Sequence, residues 1–208
     1  MDDFTAFSGL SAAETKTLQE YFTPTAAVIE KNDFIVKPVN QQNAAGILLS
    51  GTAYLAIINK DSQRRILDYY EGVRLFGSPV LPDSIGNSYY ILARSRCMAA
   101  FADHSAILQV LEQLPAAAHM SFALAAATAR HASQHSMILS QHTLRHKLTA
   151  FFECCAGRRG TAAFPLPLTL SELADYLAVD RSAMMREIRR MKDEQLIEST
   201  GKKMRLLR

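Results

Sequence analysis

Residues Thr169-Leu-Ser-Glu-Leu-Ala-Asp-Tyr-Leu-Ala-Val-Asp180-Arg-Ser-Ala-Met-Met-Arg186-Glu-Ile-Arg-Arg-Met191 decide how this chain is read. Thr169 with Glu172 three positions on is a capping-box pattern. It opens a short helix whose apolar positions are Leu170, Leu173, Ala174 and Leu177. The periodicity breaks at Ala178-Val179, and Asp180 offers a second N-cap, so another helix starts near Arg181. A short helix, a tight turn and a longer helix make a helix-turn-helix.

The second helix has two unlike faces. Ala183, Met184, Ile188 and Met191 recur at helical spacing and point to a core. Arg181, Ser182, Met185, Arg186 and Arg189 share the opposite side. A guanidinium can bond two acceptors on guanine or grip a phosphate. The spacing therefore assigns Arg181, Ser182 and Arg186 to base edges in a DNA major groove and Arg189 to the backbone. Met185 lies in the same stripe. Downstream, Leu196-Ile197 and Met204 to Leu207 read as two short strands joined by a turn at Gly201, with Lys202 and Lys203 placed to meet phosphate. An ordinary amphipathic helix with a solvated basic face would lack this order of cap, turn, second cap and wing.

Charge has the same polarity. From residue 142 onward there are thirteen Lys/Arg against eight Asp/Glu, a net of +5; residues 1–141 hold ten against twelve, a net of −2. Attraction to phosphate needs this concentration of positive charge beside the reader helix. The excess is modest, so specificity should not rest on charge alone.

Upstream the pattern is different. Residues 5–22 look helical. From Ala26 come short β runs: Ala27-Val-Ile, Phe34-Ile-Val, Gly46 to Leu49, Thr52 to Ile58, Arg65 to Tyr70, Tyr89 to Ala93 and Cys97 to Phe101. Turn signals at Lys31-Asn-Asp, Ser50-Gly, Asn59-Lys-Asp-Ser and Glu71-Gly separate them. Short strands at this spacing predict a jelly-roll β-barrel. The first of the six histidines is His104, so a barrel metalloenzyme lacks its expected imidazole ligands, and neither a phosphate-cradling glycine loop nor a nucleophile elbow is present. No catalytic and no metal residues are assigned. Three cysteines do not make a disulfide framework, and free thiols are expected. The chain opens on Met-Asp-Asp-Phe without a basic and apolar leader and holds no membrane-length apolar run, so a cytoplasmic protein is expected.

Between the two parts, Ala116 to Gln141 holds neither Gly nor Pro. Met120, Ala123, Ala127, Arg130, Gln134 and Met137 fall at alternating three- and four-residue steps, the spacing of a coiled-coil contact, and predict a homodimer seam. His131, His135, His142 and His146 form two i, i+4 pairs, read as polar helix surface. The junction near Gln141-His142 is the expected hinge. The fold class is therefore α+β: an N-terminal jelly-roll over 1–114, a long dimerisation helix over 115–141, and a C-terminal winged helix-turn-helix over 142–208.

In this order of parts the chain resembles the cyclic-AMP receptor protein/FNR (Crp/Fnr) family of bacterial transcription regulators. Asp180-Arg181-Ser182 and Arg186 sit at that family's recognition-helix positions, Leu196-Ile197 with Gly201-Lys202 fits its wing, and Leu48-Leu-Ser-Gly-Thr-Ala and Phe76-Gly77 resemble its glycine-marked turns. The resemblance implies a cyclic-nucleotide-binding-like sensing domain and a cytoplasmic homodimer on a two-fold symmetric double-stranded DNA operator. It further implies contact with RNA polymerase, for which residues around Arg158-Arg159 are placed. The family's effector positions correspond to Gly77, Ser78, Asn87 and Ser88, with Ala132 and Ser133 on the long helix. Where cyclic-nucleotide members have Gly-Glu and Arg-Ser, this chain has Gly77-Ser78 and Asn87-Ser88. Without the guanidinium, a desolvated cyclic phosphate would lack its compensating charge. Cyclic AMP is thus not the expected effector, whose identity is left open, as is the alternative that the domain has lost its ligand and serves as a scaffold. Oxygen-sensing members need four cysteine ligands, largely near the N-terminus; here the first cysteine is Cys97, so no iron–sulfur cluster is expected. Ser182 stands where the family often has Glu, which implies a different operator. Two readings of other classes stay open: a winged helix that binds protein, and a barrel enzyme with a helical tail.

Overall fold

The computed structural model describes residues 26–37, 45–58, 63–77, 89–102, 115–201 and 203–207. The helix expected over 5–22 and the turn at Asn59-Lys-Asp-Ser lie outside them. Two compact units divide the chain, residues 1–130 and 131–208.

In the first unit the strands are β1 (Ala26–Ile29), β2 (Phe34–Val36), β3 (Ala45–Ser50), β4 (Thr52–Ile58), β5 (Arg64–Glu71), β6 (Arg74–Gly77), β7 (Tyr89–Ala93) and β8 (Cys97–Ala102). They form two four-stranded antiparallel sheets, ordered β1-β8-β3-β6 and β2-β7-β4-β5. The expected jelly-roll is thus realised as a two-sheet sandwich rather than a closed barrel. Its core holds Leu48, Ala53, Leu55, Tyr70, Phe76, Ile91, Ala93 and Ala99. Strand β3 is buried on both faces: Leu48 enters that core, while Ile47 and Leu49 join Ala100 on the other side, where Leu124 packs. A strand covered on both faces loses simple alternation and reads as a continuous apolar run, as Gly46 to Leu49 does. Phe76-Gly77, which resembles a glycine-marked turn in the sequence, belongs to strand β6, which pairs with β3. Gly51 makes the β3–β4 turn at φ 95°, where an added Cβ would stand 2.6 Å from the Arg96 carbonyl oxygen. Both the backbone region and the space require glycine there.

Helix α1 (Pro115–Leu139) is alanine-rich and free of Gly and internal Pro, which favours the helix. It crosses the division between the units: Arg130 ends one and His131 begins the other. That division falls inside the helix, ahead of the hinge expected near Gln141. Thr143 caps α2 (Leu144–Arg159), its hydroxyl accepting from the His146 N–H, and Gly160 closes the helix in the left-handed region.

The remaining elements are β9 (Ala163–Pro165), α3 (Leu170–Leu177), α4 (Arg181–Asp193), β10 (Ile197–Thr200) and β11 (Lys203–Leu206). The wing is three-stranded, in the order β10-β11-β9. Strand β9 escaped notice in the sequence because three residues carry little periodicity. Phe164 at its centre is fully buried, as are Leu148, Phe151 and Phe152 of α2, Leu173 and Leu177 of α3, and Met184 of α4.

Candidate nucleic-acid interface

Three local devices build the α3–α4 unit. The Thr169 hydroxyl accepts from the Glu172 N–H, and the Glu172 carboxylate accepts from the Thr169 N–H at 2.8 Å, a complete capping box. Glu172 is buried in the process. Ala178 then takes the left-handed conformation, φ 54° and ψ 47°, turning the chain while its N–H and that of Val179 bond the Ala174 carbonyl. Asp180 restarts the helix, its Oδ1 accepting from the Ala183 N–H at 2.7 Å. The two caps follow from residue type and spacing and are anticipated by the sequence; the left-handed turn falls on an alanine, a residue type that does not favour it.

Helix α4 buries Met184, Ile188 and Met191. Arg181, Ser182, Met185, Arg186 and Arg189 are exposed together on the other side. Ala183, expected in the core, is half-buried. Gly201 turns the wing at φ 60°, and Lys203 is exposed on β11. Lys202 lies outside the described residues.

Behind this face is a network the sequence reading missed. The Arg145 guanidinium on α2 donates through Nε to Glu187 Oε1 at 2.6 Å, and through Nη1 and Nη2 to the two carboxylate oxygens of Glu194 at 2.6 and 2.8 Å. The Glu187 carboxylate also stands 3.6 Å from Arg190. The hydrogen bonds from Arg145 hold the Glu194 carboxyl below the usual carboxylate range, and those two carboxylates raise Arg145 further above its own.

A second missed feature corrects the histidine reading. His142 and His146 are exposed, as expected of polar helix surface, but His131 and His135 are buried. The His135 ring stacks on Tyr176 of α3 with centroids 3.8 Å apart, and its Nε2 bonds the Tyr176 carbonyl at 2.9 Å. That carbonyl lies in the last turn of α3, where helix carbonyls need donors from elsewhere. His131 Nε2 meets Arg158 Nη1. A guanidinium can only donate, so the His131 nitrogen is placed as the acceptor in this contact. Helical spacing revealed that the histidines share a face, not that aromatic and cationic groups cover part of it.

On α1, Ala123 and Arg130 are exposed, Met137 is half exposed, and Ala127 and Gln134 are half-buried. The side chain of Met120 lies outside the described residues. Of the effector positions, Gly77 is buried at the end of β6 with φ 91°, whereas Ala132 and Ser133 are exposed on α1. Ser78, Asn87 and Ser88 lie outside the described residues. The sandwich interior also holds charge: Arg74 is buried, donates to Asp68 at 2.9 Å and sits over the Tyr70 ring. Burial first, and the Asp68 carboxylate second, push the Tyr70 hydroxyl well above its ordinary value. Among the described residues no group of three or more His, Cys, Asp or Glu could hold a metal ion, and no helix is long and apolar enough to cross a membrane.

A capped helix, a left-handed turn, a second capped helix with an exposed arginine stripe, and a small sheet behind them define a winged helix-turn-helix, joined here by a long helix to a β-sandwich. Residues 143–208 match the family model for the Crp-like helix-turn-helix domain. No curated protein matches the sequence. Among solved structures, FixK2 from Bradyrhizobium japonicum is 17% identical with a TM-score of 0.71, covering 88% of this chain and 92% of that one. A CooA mutant from Carboxydothermus hydrogenoformans is 15% identical with a TM-score of 0.75, covering 91% and 85%. The c-di-GMP-responsive global regulator CLP of Xanthomonas campestris is 14% identical with a TM-score of 0.71, covering 92% and 98%. The chain has the fold of these proteins, and its C-terminal third matches a Crp-like helix-turn-helix domain.

Proposed function

We propose that this chain is a sequence-specific DNA-binding transcription regulator that acts as a homodimer, with residues 1–114 as sensor, residues 115–141 as dimer seam and 142–208 as reader. One observation carries the reading: Arg181, Ser182, Met185, Arg186 and Arg189 stand exposed on one side of a doubly capped helix whose other side is anchored by Met184, Ile188 and Met191. Arg181, Ser182 and Arg186 are assigned to base edges, Arg189, Lys202 and Lys203 to phosphate. Two readers related by a two-fold axis would engage half-sites about 34 Å apart on double-stranded DNA. The exposure of Ala123, Arg130 and Met137 supports the seam. A small effector that binds two conformations unequally would shift the spacing of the readers. It is not cyclic AMP, because Ser78 and Asn87 replace the groups that would hold the ribose and the phosphate. The protein works in the cytoplasm, with RNA polymerase as a partner and without catalysis.

Selection of duplexes from a random library by the purified chain, followed by titration at fixed salt, tests this. Arg186→Ala should lower affinity for the selected sequence by about 1–3 kcal/mol and relax preference at one position, whereas Lys203→Ala should weaken all duplexes alike and reduce the salt slope by about 1. An Arg186→Ala chain with intact sequence preference would refute the base-edge assignment.

A further inference from the structure

We infer that Arg145, which lies on α2 outside the arginine stripe, is a positioning residue for sequence reading: by clasping Glu187 and Glu194 it sets the rotation of α4. This rests on the proposal that α4 reads DNA. At about 100° per residue, Glu187 and Glu194 stand roughly 150–170° around α4 from the centre of the stripe formed by Arg181, Ser182, Met185, Arg186 and Arg189. The clasp is therefore on the back of the reader. Two carboxylates from positions seven residues apart, about 10 Å along the helix axis, converge on one guanidinium. Both reach it only at the rotation of α4 that turns Glu187 and Glu194 together toward Arg145. The pairing with Glu194 uses two guanidinium nitrogens on two carboxylate oxygens, and the planar fork fixes direction as well as distance. Glu187 accepts the third nitrogen with its side chain only 13% exposed, so this anchor is largely shielded from water. The apolar anchors Met184, Ile188 and Met191 occupy a neighbouring flank and can slide by small amounts; the fork cannot. A base-reading side chain reaches well beyond the helix surface, so a few degrees of rotation moves its tip enough to spoil a bidentate bond to a base edge while leaving a phosphate contact within reach.

The test compares Arg145→Lys, Arg145→Ala and the pair Glu187→Gln/Glu194→Gln in the full chain. The readout is the ratio of affinity for a library-selected duplex to that for a scrambled duplex of the same length and composition, at two salt concentrations, with far-UV circular dichroism and melting temperature recorded alongside. Lysine keeps the charge but loses the fork. The expected result is a fall of about tenfold in the ratio for Arg145→Lys, as for loss of one good base contact, and a fall of similar size for the double Gln variant. A ratio restored to that of the parent by Arg145→Lys would show that only charge matters and overturn the inference. So would a ratio unchanged in the double Gln variant. A purely stabilising role would lower the melting temperature and affect both duplexes equally, which also overturns it. If the parent chain prefers no duplex over its scrambled control, the DNA-reading proposal itself fails and this inference falls with it; failure confined to the Arg145 variants leaves that proposal standing.

Discussion

Replacing His135 with phenylalanine separates its ring stack from its hydrogen bond to Tyr176. The imidazole stacks on the Tyr176 ring at 3.8 Å with an 11° interplanar angle, and its Nε2 reaches the Tyr176 carbonyl at 2.9 Å. Phenylalanine preserves a flat ring for the stack and removes the hydrogen bond. The site is buried, so water is poorly placed to take over from the lost nitrogen. A buried polar group that loses its partner is destabilised by about 1–3 kcal/mol. The compact unit runs from His131 to Arg208, and for a domain of its size 1 kcal/mol corresponds to about 4–8 °C in melting temperature, so a drop of about 5–20 °C is expected for its transition. His135→Leu removes the stack as well and should cost a further 0.5–1.5 kcal/mol, roughly what an aromatic pair is worth beyond its buried area. The chain has no tryptophan. Differential scanning calorimetry of the full chain, with near-UV circular dichroism of the tyrosines, follows the loss. A Phe variant melting within about 2 °C of the parent would show that the hydrogen bond contributes nothing measurable. Equal losses for Phe and Leu would show the same of the stack.

Three further outcomes follow from local geometry. Ala178→Gly should stabilise by about 0.5–1 kcal/mol, because the left-handed backbone at this exposed alanine costs a non-glycine residue more than glycine's added chain entropy does; thermal melting checks it, and a lower melting temperature would contradict it. Asp180→Ala removes the acceptor for the Ala183 N–H and should destabilise by about 1 kcal/mol in urea titration, with weaker binding to the selected duplex because Arg181 and Ser182 sit on the first turn it caps. The Glu194 carboxyl is held below its ordinary value by Arg145, so the folded group titrates lower than the unfolded one. Its contribution is complete above the unfolded value, about pH 4.3, and is lost as pH falls through the folded value. Urea midpoints measured between pH 6 and pH 3 should therefore fall less steeply in Glu194→Gln than in the parent.

What was legible in the sequence was what is decided within one or two turns of chain. Thr169 with Glu172 and Asp180 with Ala183 are contacts between residues three apart, and residue type alone names them. The unlike faces of α4 follow from helical spacing, and each of its stripe residues is exposed as that spacing requires. Among the described residues, seven of the eight sandwich strands show in short apolar runs bounded by turn residues. What stayed hidden depends on partners far along the chain. Strand β9 exists because Phe164 pairs with Met204, forty residues later. The sandwich is two sheets because β3 pairs with β6 and β8 rather than with β4, its neighbour in sequence. His131 and His135 looked like surface because the spacing of a helix names a face without naming what covers it; their partners, Arg158 and Tyr176, lie 27 and 41 residues away.

The same long-range contacts change how the charge of the C-terminal part should be counted. A net of +5 over residues 142–208 is modest if the charges are spread evenly, but they are not. Among the eight acidic residues, Glu172 is buried in its capping box, the Asp180 carboxylate accepts the Ala183 N–H, and Glu187 and Glu194 are drawn to the back of α4 by Arg145. Two carboxylates, Glu187 and Glu194, are thus held where a guanidinium neutralises them, while Arg181, Arg186 and Arg189 stand exposed on the other side and Asp193 is exposed in the last turn of the helix. The charges of Arg145, Glu187 and Glu194 contribute little outward, because they are paired at under 3 Å and their field falls off quickly with distance. On the proposal that α4 reads DNA, pairing Glu187 and Glu194 with Arg145 behind the helix leaves the arginine stripe opposed by fewer free carboxylates than the sum over the sequence suggests.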